Sequence, residues 1–379
     1  MKKVCVVTTV SISIRAFFLP LLRHLKENTD WEVTVICDDD PALYDLLPEG
    51  VRYVPVSMKR GISLGGIGAM LKMKKLFQKE KFDFVQYSTP NAALYASIAA
   101  KLAGVKVRKY HLMGFRYLGF TGFKKTLFKA IDRFACGLST HVECVSPSNL
   151  KLGIQDKVFS EKKASVLCYG STSGVDLSRF DIHQKQSWRK QLRDRYGYTE
   201  QDCVFGFMGR ITRDKGINEL IGAFSKLECS TAKLFMAGPK EPDANLDEEK
   251  LSWAQGSDRV TFHGFVEDIQ RYFAMIDVLV LPSYREGFGN IVIEAQAMGV
   301  PVIVSDIPGP IDAMQPGETG LTVPVRSEEA LWAAMDQLAS DPEGRAAMGT
   351  AGRRFVEDRF DQKKICEAFL QSRKRLLGE

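Results

Sequence analysis

The stretch Tyr284-Arg-Glu-Gly-Phe-Gly-Asn-Ile-Val-Ile-Glu-Ala-Gln-Ala-Met-Gly299 lies between two short apolar runs. The run before it, Val278-Leu-Val-Leu-Pro282, and the run after it, Val300-Pro-Val-Ile-Val304, are both typical of buried strands. The order strand, glycine-rich loop, helix, strand predicts a βαβ unit. We expect its loop to lie at the carboxyl edge of a parallel sheet.

The loop itself has the composition of a ligand-binding segment. Gly287 and Gly289 let the backbone approach a ligand closely, and the start of the following helix offers unpaired N–H groups to an anion. Two carboxylates, Glu286 and Glu294, flank the loop. A buried helix needs neither carboxylate, so the stretch predicts a polar ligand.

The same alternation of strand and helix extends over the whole chain and predicts an α/β protein of two domains. The length of 379 residues agrees with two or three domains. We expect a first domain at 1–180, a linker near 170–188, a second domain at 189–361, and a last helix at 362–377. The predicted strands are 4–10, 31–37, 51–56, 82–87, 105–112, 139–145 and 164–168 in the first domain and 203–208, 233–237, 260–263, 278–282 and 300–304 in the second.

Composition excludes several classes of protein. No run of 18 apolar residues is present, so no transmembrane helix is predicted, and Met1 to Val10 is interpreted as a first strand. The eight cysteines form no C-x-x-C pair, which predicts a reduced, cytoplasmic protein without a zinc site. Asp38-Asp-Asp40 is interpreted as an acidic loop, and no metal is expected. The glycine-rich stretch 61–68 lacks the spacing of a dinucleotide fingerprint and is predicted to be a flexible loop.

Charge is divided unevenly between the two halves. Residues 1–185 contain 28 Lys and Arg against 16 Asp and Glu, whereas the remainder contains 24 against 30. A basic half joined to an acidic half indicates that one half contacts something anionic.

The loop Met208-Gly-Arg-Ile-Thr-Arg-Asp-Lys-Gly216 follows the first strand of the second domain. Arg210 and Lys215 could hold a diphosphate from two sides, with charge-assisted bonds of roughly 1.5–3 kcal/mol each. The alternative is a solvated charged turn. The glutamates predicted at the same sheet edge favour the binding site.

Four segments together resemble family 4 of the retaining glycosyltransferases. They are Gly209-Arg-x-x-x-x-Lys-Gly216, Ala237-Gly-Pro239, the run from Glu286 to Ala295 followed by Gly299-x-Pro-Val302, and Gly174-Val-Asp-Leu-Ser-Arg-Phe180. The resemblance implies a GT-B fold, in which two Rossmann-like doubly wound domains face each other across a cleft. It also implies that the last helix crosses back onto the first domain.

The resemblance also implies roles for individual residues. Arg210 and Lys215 match the pair that holds the donor diphosphate, Glu286 lies near the transferred sugar, and Glu294 binds the ribose. The segment 264–266 matches the loop whose backbone reads the base. The implied donor-binding residues are Arg210, Lys215, Val266, Glu286, Gly287, Phe288, Gly289, Asn290, Ile291 and Glu294. Fixed cations and amide dipoles would stabilise the leaving diphosphate in place of a metal.

The first domain departs from the pattern of the family. Many relatives have a histidine where this chain has Met113, and His111 lies two residues earlier. We place His111 with Glu286, Arg210 and Lys215 as a candidate catalytic residue, with a core histidine as the alternative. The candidate acceptor-side residues are Thr8, Ser11, Arg15, Met113, Gly114 and Arg116.

A basic and aromatic stretch, 116–129, and a lysine-rich helix, 70–81, suggest a surface that lies on anionic lipid. The alternative is a solvated face with core aromatics. No nucleic-acid reader module is recognisable.

We therefore expect a retaining enzyme that transfers a sugar, with N-acetylgalactosamine or another N-acetylhexosamine favoured, from a UDP-sugar to a polyprenyl-diphosphate-linked saccharide of capsule or other glycan assembly. It would be cytoplasmic and peripherally bound to the inner face of the plasma membrane, with no cofactor and no nucleic-acid partner. The alternatives are a soluble glycosyltransferase with a small acceptor, a non-catalytic nucleotide-sugar-binding protein, and a nicotinamide oxidoreductase.

Overall fold

The computed structural model describes residues 1–58, 64–241 and 244–379, and the chain forms two compact units. The first unit contains Met1–Ser173 together with Gln362–Glu379, and the second contains Gly174–Asp361. The boundary therefore lies at Ser173 and Gly174, within the segment 170–188 that the sequence assigned to a linker. The last helix belongs to the first unit, as predicted.

Each unit contains one parallel sheet flanked by helices. The strands are β1 (Lys3–Val7), β2 (Glu32–Cys37), β3 (Val51–Pro55), β4 (Phe84–Ser88), β5 (Val107–Leu112), β6 (His141–Cys144), β7 (Ala164–Val166), β8 (Cys203–Met208), β9 (Ala232–Ala237), β10 (Val260–His263), β11 (Val278–Leu281), β12 (Val302–Ser305) and β13 (Gly320–Val323). The α-helices are α1 (Ser11–Ser13), α2 (Leu19–Asn28), α3 (Pro41–Leu46), α4 (Leu64–Glu80), α5 (Pro90–Leu102), α6 (Gly122–Leu138), α7 (Pro147–Gln155), α8 (Lys185–Tyr196), α9 (Ile217–Ser225), α10 (Glu248–Gly256), α11 (Ile269–Met275), α12 (Asn290–Ala297), α13 (Glu328–Ser340), α14 (Pro342–Arg359) and α15 (Gln362–Leu377). A π-helical turn covers Ile14–Phe18, and 3-10 turns cover Arg116–Gly119, Glu161–Lys163, Ile182–Gln184, Arg213–Lys215 and Pro310–Asp312.

The first sheet has the strand order β3-β2-β1-β4-β5-β6-β7, and all of its pairings are parallel. Side chains alternate between its two faces, as the pleat of a strand requires. Val4 and Val6 of β1 join the core beneath α2 and α15, whereas Cys5 and Val7 join the core beneath α4, α5 and α6. Because helices cover both faces of the sheet, the sequences of its strands are mostly apolar.

The second sheet has the order β10-β9-β8-β11-β12-β13 and is also parallel. In each sheet the second and third strands lie on one side of the first strand, and the later strands lie on its other side. This reversal lies between β1 and β4 in the first unit and between β8 and β11 in the second. Ligands of open parallel sheets bind at the carboxyl ends of the strands beside such a reversal.

The sequence predicted twelve strands, and the structure contains all of them and adds β13. Helix α8 begins inside the predicted linker. The glycine-rich stretch predicted to be a loop is helical from Leu64 onward, whereas residues 61–63 lie outside the described residues. Within the described part of the chain, no helix has both the length and the apolar content that crossing a bilayer requires.

Candidate functional site

The predicted site in the second unit lies at the reversal between β8 and β11. Lys215 follows β8 and Glu286 follows β11, and Lys215 Nζ donates to Glu286 Oε1 at 2.5 Å. The same carboxylate oxygen accepts a bond from the hydroxyl of Ser283 at 2.9 Å. The fold therefore brings together two charged residues that the sequence placed in different motifs.

Close backbone packing fixes the positions of these two loops. Gly216 has a φ of 73°, and a Cβ at this position would lie 2.1 Å from the carbonyl oxygen of Pro282. Only glycine fits there without displacing the second loop. The Tyr284 N–H donates to the Asp214 carbonyl at 2.9 Å, and Arg285 Nη2 donates to the Asp214 carboxylate at 3.2 Å.

Arg210 lies near this pair but has other partners. Its Nη1 donates to Glu241 Oε1 at 2.9 Å, and its Nη2 lies 4.0 Å from the Asp214 carboxylate. Partial burial acts to lower the pKa of Arg210, but Glu241, Asp214 and Glu286 outweigh it and raise that pKa above its ordinary value. Arg210 therefore remains a cation that is close to the Lys215–Glu286 pair.

Helix α12 begins where the glycine-rich loop ends. Gly289 is its N-cap and has a left-handed φ of 87°, which glycine adopts without strain. Asn290, Ile291 and Glu294 are partly exposed, whereas the other residues of the helix are buried. Their spacing places the three on one face, so the predicted donor-binding residues of α12 share that face.

Two more predicted donor-binding residues belong to the loop. Gly287 is partly exposed, whereas the ring of Phe288 is buried and packs 5.3 Å from the ring of Phe360. Phe288 therefore anchors the loop to the core, and only its backbone remains for a ligand.

Glu294 is the unusual ionisable group of the helix. Burial raises the pKa of this carboxyl to about 7, and the positive charge of Arg179 opposes that rise only in part. Arg179 itself is held by Gln270 at 3.2 Å and by the Glu267 carbonyl at 2.8 Å. A carboxyl group that titrates near neutral pH suits a partner with hydroxyl groups, because it can exchange hydrogen bonds with them.

The predicted base-reading loop follows β10. Gly264 and Phe265 are exposed, Phe265 to 73%, and Val266 is partly exposed. A cavity of about 290 Å³ lies beside Gly264 and is also lined by Ile211 and Gly238. The carboxyl ends of β8, β9 and β10 thus all contribute to one concave region.

His111, predicted as a candidate catalytic residue, is buried inside the first unit. Its Nδ1 lies 3.1 Å from Glu143 Oε1 and its Nε2 lies 3.2 Å from the Thr172 hydroxyl. Because a carboxylate only accepts, Nδ1 donates and Nε2 of the neutral ring accepts from the hydroxyl. Both ring nitrogens are occupied, which favours the alternative of a structural histidine.

Glu143 is the centre of a buried ionic network, which we call the Glu143 cluster. Its carboxylate also accepts from Lys109 Nζ at 2.5 Å and from Arg373 of α15, whose Nη1 and Nη2 lie at 3.1 and 2.7 Å. Arg373 Nη2 donates in addition to Gln86 Oε1 at 2.6 Å. The Glu143 cluster therefore joins α15 to β4, β5 and β6.

Burial and charge both act on this cluster. Burial, with the nearby Arg373 charge, lowers the pKa of Lys109 to about 8, although Glu143 opposes it. Burial also lowers the pKa of His111, which keeps the ring neutral. Burial alone would raise the pKa of Glu143, but Arg373, Lys109 and His111 outweigh it and hold that pKa well below its usual range.

Three candidate acceptor-side residues follow β1. Thr8 is buried, and its hydroxyl donates to the Val10 carbonyl at 3.0 Å. The Ser11 N–H donates to Asp38 Oδ1 at 2.6 Å, and Arg15 forms an ion pair with Asp40. All of these groups lie beside the reversal between β1 and β4.

The other candidates follow β5 at the same edge. Met113 is partly buried against the core, Gly114 has a φ of 113°, and the Arg116 guanidinium lies 4.3 Å over the ring of Phe128. Arg116 Nη1 also donates to Asn91 Oδ1 at 3.4 Å. Arg116 is thus held between Phe128 of α6 and Asn91 of α5.

The acidic run 38–40 has structural partners. Asp40 caps α3 by accepting from the Ala42 N–H at 3.2 Å, in addition to its ion pair with Arg15. Across the ranges 1–58, 64–241 and 244–379, no three His, Cys, Asp or Glu side chains are grouped in a way that could hold a metal ion.

Sequence reasoning missed several residues that organise the site. Asp214 ties the two loops together, Glu241 holds Arg210, and Arg179 supplies a charge to Glu294. Asp214 lies in the loop Met208–Gly216 and Arg179 in the segment Gly174–Phe180, so their charge was the available signal. Glu241 follows β9 and lies two residues beyond the Ala237-Gly-Pro239 motif, so no motif indicated a role for it.

Two family descriptions match the chain. The family described as "Glycosyl transferases group 1" matches residues 189–355, and "Glycosyl transferase 4-like" matches residues 3–146. The capsular polysaccharide biosynthesis glycosyltransferase CapM of Staphylococcus aureus is 32% identical over 97% of this chain and 95% of its own. The N,N'-diacetylbacillosaminyl-diphospho-undecaprenol alpha-1,3-N-acetylgalactosaminyltransferase of Campylobacter jejuni is 24% identical over 96% of both chains.

Solved structures share the fold over the full length. The Anabaena protein Alr3699/HepE, solved in complex with UDP, superposes with a TM-score of 0.79 over 99% of this chain and 100% of its own, at 20% identity. The expected GT-B fold is thereby confirmed, with sheets of seven and six parallel strands. On the strength of the full-length likeness to CapM, this chain belongs to the group 1, GT4-like glycosyltransferases and is a glycosyltransferase.

Proposed function

We propose that this glycosyltransferase moves a sugar from a UDP-sugar to a saccharide linked to a polyprenyl diphosphate. The observation that carries the proposal is the pairing of Lys215 with Glu286, with Arg210 close by, at the sheet reversal of the second unit. Two cations at that edge suit the diphosphate of a nucleotide sugar. The UDP complex of the Anabaena protein and the diphospho-undecaprenol in the name of the Campylobacter relative support the two substrates.

The proposed chemistry depends on stabilising a leaving group. As the bond from the anomeric carbon to the phosphate oxygen breaks, negative charge develops on the diphosphate. Arg210, Lys215 and the amide groups at the start of α12 would stabilise that charge without a metal. Each charge-assisted bond contributes roughly 1.5–3 kcal/mol.

We propose retention of the anomeric configuration without a covalent intermediate. Glu286 accepts bonds from Lys215 and Ser283, so we assign it to binding the transferred sugar rather than to nucleophilic attack. The leaving phosphate would then accept the proton of the incoming hydroxyl. Glu294, whose pKa burial raises to about 7, is assigned to the ribose hydroxyls.

We propose N-acetylgalactosamine as the sugar. The name of the Campylobacter relative, which states transfer of that sugar to a diphospho-undecaprenol-linked saccharide, supports this choice. The CapM likeness supports a place in surface polysaccharide assembly. A polyprenyl carrier would keep the acceptor in a bilayer, so we propose a cytoplasmic enzyme that binds the inner face of the plasma membrane.

Substitution of the two cations tests the diphosphate site. Arg210→Ala and Lys215→Ala should each lower the rate of sugar transfer by about tenfold or more, because each removes a charge-assisted bond. Lys226→Ala is the matched control, since this lysine of the same unit is largely exposed and pairs with Glu328 and Glu329. Rates equal to the control for both variants would refute the assignment.

A donor screen separates the proposal from its alternatives. Purified protein would be incubated with UDP- and GDP-sugars, with either a membrane extract or small soluble glycosides as acceptor. Transfer from UDP-N-acetylgalactosamine into the lipid fraction is the expected result. Transfer only to soluble glycosides would refute the lipid-linked acceptor, and binding of UDP without any turnover would indicate a nucleotide-sugar-binding protein.

A further inference from the structure

Helix α6 exposes large apolar side chains to solvent. Phe123 is 80% exposed, Phe134 52% and Leu127 40%. Together with Ala130, which is also exposed, they recur at positions i, i+4, i+7 and i+11. That spacing places all four on one side of the helix, and it is the spacing that normally faces a core.

The other side of α6 already packs against the core of the first unit. Ala135 and Cys136 are buried, and Phe128 packs against the same core. The ring of Phe128 stacks on Phe120 at 4.6 Å. The helix therefore has two apolar faces, and the face that contains Phe123, Leu127, Ala130 and Phe134 is the outward one. We call it the α6 outer face.

The charges on α6 are almost all positive. Its sequence contains Lys124, Lys125, Lys129 and Arg133 against the single acid Asp132, which is buried. Lys129 pairs with Asp156 at 2.7 Å and Lys125 is exposed on another side of the helix, whereas the exposed Lys124 and Arg133 flank the outer face on its two sides. An apolar strip bordered by cations suits a membrane surface, in which an apolar acyl region lies beneath a layer of anionic headgroups.

A second helix of the same sheet face has the same character. Helices α4 and α6 both pack against α5. Helix α4 exposes Ile67 to 49% and Leu71 to 46%, and Lys72 and Lys75 beside them are exposed as well. The apolar and basic surface thus extends beyond α6.

We propose that the α6 outer face docks on a bilayer that contains anionic phospholipid, with Phe123, Leu127 and Phe134 entering the headgroup region. A second copy of this chain fits less well, because pairing two such faces would bring Lys124 and Arg133 of both copies together, four cations with no exposed acid of α6 between them. The inference rests on the proposed lipid-linked acceptor for its biological setting. Docking itself needs neither donor nor acceptor.

Vesicle binding tests the docking surface directly. The full chain would be floated with vesicles of phosphatidylcholine plus phosphatidylglycerol, and with vesicles of phosphatidylcholine alone. We expect strong flotation only with the anionic vesicles, weakened by salt. The double variant Phe123→Ser/Phe134→Ser should lower the partition coefficient about tenfold or more, because two buried rings are lost.

The matched control is Tyr44→Ser. Tyr44 is an aromatic residue of the first unit with 56% exposure, and in the chain it follows the acidic residues 38–40 and precedes Asp45. This variant should float like the wild-type chain. Equal flotation of the double variant and the wild-type chain would overturn the proposal, as would a dimer in analytical ultracentrifugation that the double variant abolishes.

The same samples separate this inference from the proposed function. Hydrolysis of a UDP-sugar in solution needs no bilayer, so the double variant should retain it. Flotation without sugar transfer would refute the proposed function and leave the docking surface in place. Transfer to a lipid-linked acceptor, together with unchanged flotation of the double variant, would support the proposed function and refute the docking surface.

Discussion

The Glu143 cluster gives the sharpest test of how α15 is held to the first unit. Four donor atoms from Lys109, His111 and Arg373 converge on one buried carboxylate. The substitution Glu143→Gln keeps the shape of the side chain but removes its charge. Arg373 would then remain buried as a cation without a counter-ion.

The magnitude follows from that uncompensated charge. Removing one partner of a buried ion pair costs about 3–5 kcal/mol, because the remaining charge keeps its desolvation penalty. For a unit of this size each kcal/mol lowers the melting temperature by about 2–4 °C, so we expect a fall of roughly 6–20 °C. The loss of the charge also lowers the pKa of Lys109 further, since Glu143 is the group that raises it.

Denaturation by urea, followed by circular dichroism, measures the change in free energy of unfolding. Glu367→Gln is the matched control, because Glu367 lies on the same helix and bonds to His24 at an exposed position. We expect the control to change the free energy of unfolding by less than about 1 kcal/mol. A loss for Glu143→Gln no larger than that of the control would refute the reasoning.

Three further predictions concern other sites. Burial raises the pKa of Glu294 to about 7, and ribose hydroxyls donate to its ionised form, so affinity for UDP should fall about tenfold between about pH 8 and pH 6. Calorimetry should find a smaller fall for Glu294→Gln, in which only the phosphate titrates. Gly216→Ala should lower the free energy of unfolding by about 1–3 kcal/mol more than Gly197→Ala in urea titrations, because both glycines have a left-handed φ but only the first has a backbone oxygen in the way. Burial raises the pKa of Asp132 from 3.8 to about 7, so the folded chain binds that proton more tightly and stability falls as pH rises through this range. Asp132→Asn should abolish this fall and raise the free energy of unfolding at about pH 8 by roughly 2–4 kcal/mol.

The sheets could be predicted from sequence because their strands are buried on both faces. Cys203 to Met208 and Val302 to Ser305 are uninterrupted apolar or small runs, and such runs are a strong signal. Strand β13 was not predicted, because it is short and begins with Gly320. Its glycine is required by the neighbouring strand, since a Cβ there would lie 2.1 Å from the Val302 carbonyl oxygen.

Helices whose sequence is governed by tertiary contacts were harder to predict. Helix α8 was not predicted, and its first residues, 185–188, fell within the predicted linker near 170–188. Its arginines nevertheless have specific partners, and Arg193 donates to Asp277 at 2.6 Å. Helix α4 begins with glycines that disfavour a helix by about 1 kcal/mol each. Gly66 lies against the ring of Tyr95, where a Cβ would be 2.1 Å away, so close packing of α4 on α5 selects the glycine.

Only part of the candidate site could be predicted. The rule that loops meet at the carboxyl edge placed Lys215 and Glu286 on one edge, although 71 residues separate them. The rule does not state which charges pair, so Glu241 and Asp214 were missed. It also could not distinguish a strand-end histidine that faces a ligand from one that faces a buried carboxylate, and His111 is of the second kind.

The pairing of Lys215 with Glu286 has a consequence for how a donor would bind. A diphosphate is a stronger acceptor for an ammonium group than one carboxylate, so we expect Lys215 to transfer its bond to the phosphate. Glu286 would then lose its cation, while Ser283, whose hydroxyl donates to the same oxygen, keeps the carboxylate in place. A carboxylate without a cationic partner becomes a good acceptor for a sugar hydroxyl. On the proposed function, binding of the diphosphate would therefore create the sugar site between the two loops, whose close approach at Gly216 and Pro282 keeps Lys215 and Glu286 within reach of each other.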